Sequence, residues 1–294
     1  MNAVVGALRA DGKRVSVSKV CRWLDVPRST AYYLPRRRTQ RPIDGFVAHI
    51  IHEVIQQQPT WGVGMTWGYL RHQLGFAALN RKKVERIMRI SGWTCRQRRV
   101  GKRPRVEHKK SIAAEPDQRW ATDIALVRCG VDGWCAFVPV MDCCTRQVLG
   151  WELADTARAR TAERALDNAL MYRFGYCYGA PAGLTVRHDN GLVFGSRRYV
   201  RTVRAYGLAQ EYIAPYTPEQ NGLCERFIRT FKEECCWQHR FESIADARRV
   251  IAAWMHTYNA LRPHSALQYM TPDEFHRRKT PGATRPDRKP LIAA

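Results

Sequence analysis

Apolar and polar positions change period along the chain, and the change divides it. Val15 to Tyr33 reads as a helix ending near Leu24, a tight turn around Asp25 to Pro27, and a second helix with Ser29 or Thr30 as N-cap, which is helix-turn-helix punctuation. Phe46, Ile50, Ile51, Val54 and Ile55 then recur at helical spacing, Trp61-Gly62-Val63-Gly64 breaks the pattern, and Thr66 to Gln73 and Asn80 to Ile90 resume it. From Trp120 the texture becomes β-prone. Trp120 to Cys129, Trp134 to Val140 and Gln147 to Leu153 read as three strands of an antiparallel meander, with a turn at Gly130 to Gly133. Thr156 to Phe174 reads as a helix, Leu184 to Arg187 as a short buried strand and Arg197 to Tyr206 as a helix. Gln210 to Ile213 is another strand and Asn221 to Cys236 a long helix. The order βββαβαβα predicts an α/β domain, a mixed sheet with helices on both faces, preceded by all-α units. Ala245 to Leu261 forms a further helix that must stop near Pro263, and Thr271-Pro272-Asp273-Glu274 has the form of a capping box with proline at N1.

Charge sharpens this division. The 294 residues carry 49 Lys and Arg against 26 Asp and Glu, a formal net charge of +23. Residues 1–119 hold 25 basic and 8 acidic residues, residues 120–236 hold 14 and 13, and residues 237–294 hold 10 and 5. The excess is N-terminal, and it favours a polyanionic partner, most simply nucleic acid. In the helix-turn-helix, Arg28 leads the second helix with Tyr32 and Tyr33 exposed, suited to a DNA major groove. The helix capped by Asn80 carries Arg81, Lys82, Lys83, Arg86 and Arg89 against the single acid Glu85, and phosphate contact is the expectation for it. Arg96 to Lys110 has eight basic residues and no periodicity, as a linker tracking a DNA backbone would.

No stretch approaches the ~18 apolar residues of a membrane span, and none precedes Asp11, Lys13 and Arg14 as a secretory leader would; the expected location is the cytoplasm, at the nucleoid. The ten cysteines are therefore expected as reduced thiols. His49 and His52 have helical spacing, but no paired cysteines follow at ligand spacing, which argues against structural zinc.

Three acids of the nearly neutral centre occupy telling places. Asp123 lies in the first strand, where an unpaired carboxylate is costly unless it faces a ligand or metal. Asp189 ends the fourth strand in Arg187-His188-Asp189-Asn190-Gly191, and Glu225 lies one turn into the long helix. If the first and fourth strands are neighbours, both aspartates reach the sheet edge. At ~100° per residue, Glu225, Arg229 and Lys232 share one helix face and Leu223, Phe227 and Phe231 the opposite one. Clustered carboxylates repel, and hard divalent cations relieve them, so the set suits two Mg²⁺ ions, with Mn²⁺ as a substitute. Such a pair serves in-line phosphoryl displacement, with Arg229 and Lys232 holding the DNA backbone beside it.

Trp120-Ala121-Thr122-Asp123, His188-Asp189-Asn190-Gly191 and Tyr216 to Phe227 (YTPEQNGLCERF), with Lys232 seven residues after Glu225, resemble the catalytic core of bacterial insertion-sequence transposases (the OrfB-type subunit) related to retroviral integrases. Tyr258-Asn259, Arg262-Pro263-His264-Ser265, Leu267 and Thr271-Pro272 fit the same family. The resemblance implies a ribonuclease H-like fold with a five-stranded mixed sheet. Asp123, Asp189 and Glu225 would be the catalytic, metal-ligating DDE triad. The reaction implied is hydrolytic release of a 3′-hydroxyl and its direct attack on a second strand, without a covalent enzyme intermediate. Partners implied are double-stranded DNA, both transposon ends and target, a second copy of the chain in at least a dimer on DNA, and an upstream-frame transposase subunit.

Domains are then expected at 1–40 (helix-turn-helix), 41–95 (second helical DNA-binding domain), 96–114 (basic linker), 115–240 (catalytic core), 241–276 (helical brace) and 277–294 (basic disordered tail). Asn221-Gly222 would cap the last core helix below a mobile loop over the DNA end, and His264 is a candidate DNA contact. One departure stands out. Trp61-Gly62-Val63-Gly64-Met65-Thr66 lacks the paired basic residues that the family carries there, which removes the expected source of end specificity. A metal-dependent nuclease without joining and a non-enzymatic DNA-binding regulator are the rival readings.

Overall fold

The structure, a computed structural model, describes residues 2–33, 42–95, 113–214 and 218–281. The basic linker through Lys110, most of the C-terminal tail and Pro215 to Thr217 of the expected mobile loop lie outside the described residues. The chain forms two compact units, Met1–Asp44 and Gly45–Ala294.

The first unit contains α1 (Asn2–Ala10), α2 (Val17–Trp23) and α3 (Arg28–Ala31). Ser16 caps α2 by accepting from Lys19 N, and Asp25 turns the chain with a φ of 50°. The cap of α3 is Pro27 rather than Ser29 or Thr30, and the helix is only four residues long. Pro27, with its ring-fixed φ, starts the helix two residues before Ser29, so Ser29 and Thr30 lie inside it. Arg28, Trp23, Tyr32 and Tyr33 are exposed.

The second unit opens with α4 (Gly45–Gln57), α5 (Val63–His72) and α6 (Arg81–Ile90), packed around Val47, Ile51, Leu70, Val84, Ile87 and Met88. Phe46 is outside this core, 67% exposed. Asn80 caps α6, its side chain accepting from Lys82 N at 2.8 Å. His49 pairs with Glu53 at 3.3 Å, and the ring of His52 lies against Trp93.

The sheet has six segments: β1 (Arg119–Thr122), β2 (Ala125–Arg128), β3 (Trp134–Asp142), β4 (Val148–Ala154), β5 (Thr185–His188) and β6 (Ala209–Tyr212). β3 pairs antiparallel with β4, β1 and β2, while β1, β5 and β6 run parallel. The registers Thr122↔Val140 and Ala125↔Phe137 are continuous, so β1 and β2 are one strand interrupted at Asp123 and Ile124. Continuing that register sets Asp123 opposite Pro139, which has no N–H to give to a ladder. Counted this way the sheet has five positions, in the order β4, β3, β1/β2, β5, β6, the mixed ribonuclease H-like arrangement.

Helices cover both faces. α7 (Ala159–Phe174) and α8 (Arg197–Ala205) pack with Trp120, Val138, Val140 and Val186 on one side. On the other, α9 (Gly222–Glu234) and α10 (Ile244–Ala260) pack with Ala121, Phe137 and Met141. The close approach of α7 to β4 depends on Gly150, where an added Cβ would lie 2.4 Å from Ala169 N and 2.6 Å from Ala165 O.

Beyond α10, α11 (Pro272–Lys279) starts with the full Thr271/Glu274 capping box. The brace is tied down by polar pins. The Asn259 amide exchanges hydrogen bonds with Val148 N (2.9 Å) and O (2.8 Å), and Gln147 Nε2 donates to Asp273 at 2.7 Å. His264 is no DNA contact: it is 7% exposed against Tyr258, and burial first, then Arg262 and Arg146, hold its pKa well below the ordinary value. Tyr269 fills a slot on α5, with its Cβ 2.7 Å from where a Cβ on Gly68 would stand and its hydroxyl 2.9 Å from one on Gly64. Gly64, on one side of that slot, belongs to the Trp61 to Thr66 segment that lacks the paired basic residues. All ten cysteines are free thiols, and no helix among the described residues is long and apolar enough to cross a membrane.

Candidate active site

β1 and β5 carry the two aspartates to the same sheet edge. The parallel register Ala121↔Arg187, continued by two residues, sets Asp123 beside Asp189. Each carboxylate is oriented by its own backbone: Asp123 Oδ1 accepts from Ile124 N at 2.8 Å, and Asp189 Oδ1 from Gly191 N at 3.0 Å. Behind Asp189, the ring of the buried His188 lies 4.7 Å from that of Phe194, centroid to centroid. Its Nδ1 is 2.6 Å from Asp189 O and its Nε2 2.8 Å from Gln210 Nε2, an arrangement in which Nδ1 donates and Nε2 accepts. Burial pulls its pKa below the ordinary value, consistent with that neutral form.

Glu225 stands on the exposed side of α9 with Arg229, while Cys224, Phe227 and Phe231 are buried on the opposite side. The predicted two-faced helix is thus observed. Phe231 reaches Phe137 with ring centroids 4.3 Å apart, anchoring α9 to β3. Asn221 precedes the helix, but its side chain makes no cap. Its Nδ2 donates instead to the carbonyl of Thr122 at 3.3 Å, next to Asp123.

A second tether fixes the same junction. Arg187 donates to Gln220 O at 3.0 Å and pairs with Glu211, which also holds Arg119 at 2.8 Å. Gln220 Oε1 in turn accepts from Ala214 N at 2.9 Å. Burial alone would raise the Glu211 carboxyl, yet Arg187 and Arg119 hold it below its ordinary value. No local spacing in the sequence marks this tether. Its one sequence signal was an arginine in a strand otherwise read as buried.

The three acids sense one another. The Asp123 carboxyl is pushed up to about 6, by burial first and then by the negative charges of Asp189 and Glu225, while the Ile124 N–H and Lys232 oppose the rise. Among the described residues no three His, Cys, Asp or Glu side chains are drawn close enough to form a single ion-holding group as they stand. The donor chemistry nonetheless fits a hard divalent cation, because all three groups offer oxygen and their mutual repulsion is the penalty such an ion removes.

The remaining candidates spread over other surfaces. Lys232 and Arg229 lie on the face of α9 that carries Glu225, and Arg28 lies in the first unit. Arg81, Lys82 and Lys83 line the exposed first turn of α6, with Arg86 half-buried. The Arg81 guanidinium lies 5.9 Å from the Tyr269 ring centroid.

Residues 113–218 and 206–272 each match an integrase core domain, and residues 44–100 match an HTH-like domain. The transposase InsD of insertion element IS2 from Escherichia coli is 29% identical over 277 residues, 90% of this chain and 91% of that protein. An uncharacterized protein of insertion element IS476 from Xanthomonas euvesicatoria is 29% identical over 262 residues, covering 89% of this chain and 72% of that protein. Among solved structures, a simian T-cell lymphotropic virus intasome chain is 14% identical with a TM-score of 0.46, over 83% of this chain and 80% of that one.

Proposed function

The chain belongs to the integrase-core family of insertion-element transposases, and on that premise we propose that it cleaves DNA at the ends of its element and joins the freed 3′-hydroxyl to a second duplex. One observation carries the assignment of the site: the parallel register of β1 and β5 sets the half-buried Asp123 beside Asp189, and the charges of Asp189 and Glu225 raise the Asp123 carboxyl. Asp123, Asp189 and Glu225 would hold two Mg²⁺ or Mn²⁺ ions, which when bound activate the attacking oxygen and stabilise the leaving one.

The chain's own residues prepare that reaction. Asn221 and Arg187 fix the start of α9 against β1 and β5, so the Glu225 helix and the two aspartate strands keep one geometry. Neutral His188 orients the backbone that carries Asp189. Lys232 and Arg229 offer cations on the Glu225 face, where a scissile phosphate and its neighbours need them. DNA ends are bound by Arg28 in the first unit and by Arg81, Lys82, Lys83 and Arg86 on α6. Pairing two ends requires at least two copies on DNA, and an upstream-frame subunit is a further partner.

The deciding experiment supplies a labelled pre-cut end, a target duplex and Mg²⁺. A joined product is expected. Cleavage without joining would make the protein a nuclease, and metal-independent function with all three acids neutralised would make it a regulator.

A further inference from the structure

The nearly even charge of the central segment conceals a one-sided surface. β4 runs parallel to β1 and leads into α7, and β5 leads into α8, so both helices begin at the edge that carries Asp123 and Asp189. They lie side by side in the same direction: Glu163 meets Arg198 and Thr202, and Asp167, one turn on, meets Tyr206. Those two are the only acids on either helix, and both are consumed by these contacts.

What remains outside is arginine. Arg160 and Arg164 on α7, and Arg197, Arg201 and Arg204 on α8, are all exposed. None of the five makes an ion pair or side-chain hydrogen bond among the described residues. Arg197, Arg201 and Arg204 follow the i, i+4, i+7 spacing of one helix stripe, about 10 Å long, starting eight residues after Asp189. Solubility is served by mixed charge, whereas an all-arginine ridge suits the bidentate recognition of phosphate.

Its position separates it from the cations assigned to the element's end. Arg229 and Lys232 belong to α9, which packs on one face of the sheet, and α7 and α8 pack on the other. Joining needs two DNA molecules to meet at the edge between these faces. Resting on the proposed function, we propose that the arginine face of α7 and α8 holds the phosphodiester backbone of the target duplex.

The test uses the full chain with R197Q/R201Q/R204Q, and the same positions changed to Lys as the charge-retaining control. Expected for the Gln variant are end binding and end cleavage at wild-type rates, reduced joining of a pre-cut end to target DNA, and recovery in the Lys control. For a target duplex that carries no end sequence, the slope of log affinity against log salt should be shallower by about 0.9 for each phosphate the variant no longer neutralises. End cleavage falling in parallel with joining would assign the face to the element's end and overturn the proposal, as would unchanged joining with an unchanged slope. A wild-type protein that never joins ends refutes the proposed function instead, while the binding slopes still decide whether the face holds a duplex.

Discussion

The Asn221 side-chain amide donates to the Thr122 carbonyl across 99 residues of sequence, at 3.3 Å, joining the start of the Glu225 helix to the residue before Asp123. Asn221 is 3% exposed and Thr122 1%, and both Asn221 Oδ1 and Thr122 Oγ1 are buried without a partner among the described residues. A pair left this unsatisfied is costly for a fold to keep, and its value lies in position. Asn221→Ala should cost about 1 kcal/mol of stability but lower kcat for joining by roughly tenfold or more, equivalent to ~1.4 kcal/mol in the barrier. KM for DNA should stay unchanged. Parallel melting and steady-state measurements check this; a loss confined to stability would reduce Asn221 to packing.

Asp123 links the site to pH. Its carboxyl titrates near 6 because burial and the charges of Asp189 and Glu225 disfavour ionisation. The folded state therefore prefers the protonated form: stability is full below the ordinary aspartate range and declines as pH rises through about 6. In metal-free buffer at pH 8, Asp123→Asn should be more stable than wild type by roughly 1–3 kcal/mol, with the gain vanishing near pH 4. Mg²⁺ should raise the melting temperature of the wild type and leave that of Asp123→Asn nearly unmoved. Thermal melts at the two pH values, with and without Mg²⁺, read both effects.

Gly150 tests the fold without touching the site. A Cβ there would strike the α7 backbone at Ala169 N and Ala165 O, which cannot rotate away. Gly150→Ala should destabilise by about 3 kcal/mol, measured as a shift in denaturant midpoint. A neutral result would contradict the close approach of α7 to β4.

Tyr269 and Gly68 make a reciprocal pair. Gly68→Val should cost roughly 1–3 kcal/mol, and the cost should shrink when Tyr269→Ala empties the slot. A double-mutant cycle in denaturant supplies the coupling, and additivity would show that the two do not touch.

Periodicity and punctuation made most elements legible. The two-faced character of α9, the Asn80 cap and the Thr271 capping box followed from spacing and local chemistry alone, because each is set by residues within one or two turns. What escaped was non-local. The interruption of the first strand depends on Pro139 arriving opposite Asp123, and the failure of Asn221 to cap depends on Thr122 offering a better partner from the far side of the sequence. Phe46 matched a helical stripe, but the core closed on Val47 instead, since the face that is buried depends on where α5 and α6 pack. His264, a candidate DNA contact by sequence, is buried behind Tyr258 because of where the chain after α10 folds back. Net charge concealed the arginine face of α7 and α8, because summing a segment discards which acids are already engaged.

If Asp123, Asp189 and Glu225 act as one metal-dependent site, Glu225→Gln must disable it, because the change is isosteric and Glu225 is exposed on the side of α9 opposite Phe227 and Phe231. With Mg²⁺, a labelled element end and target DNA, the Glu225→Gln variant should bind ends as the wild type does, with end cleavage and joining both abolished. Joining by Glu225→Gln at a near-wild-type rate would contradict it.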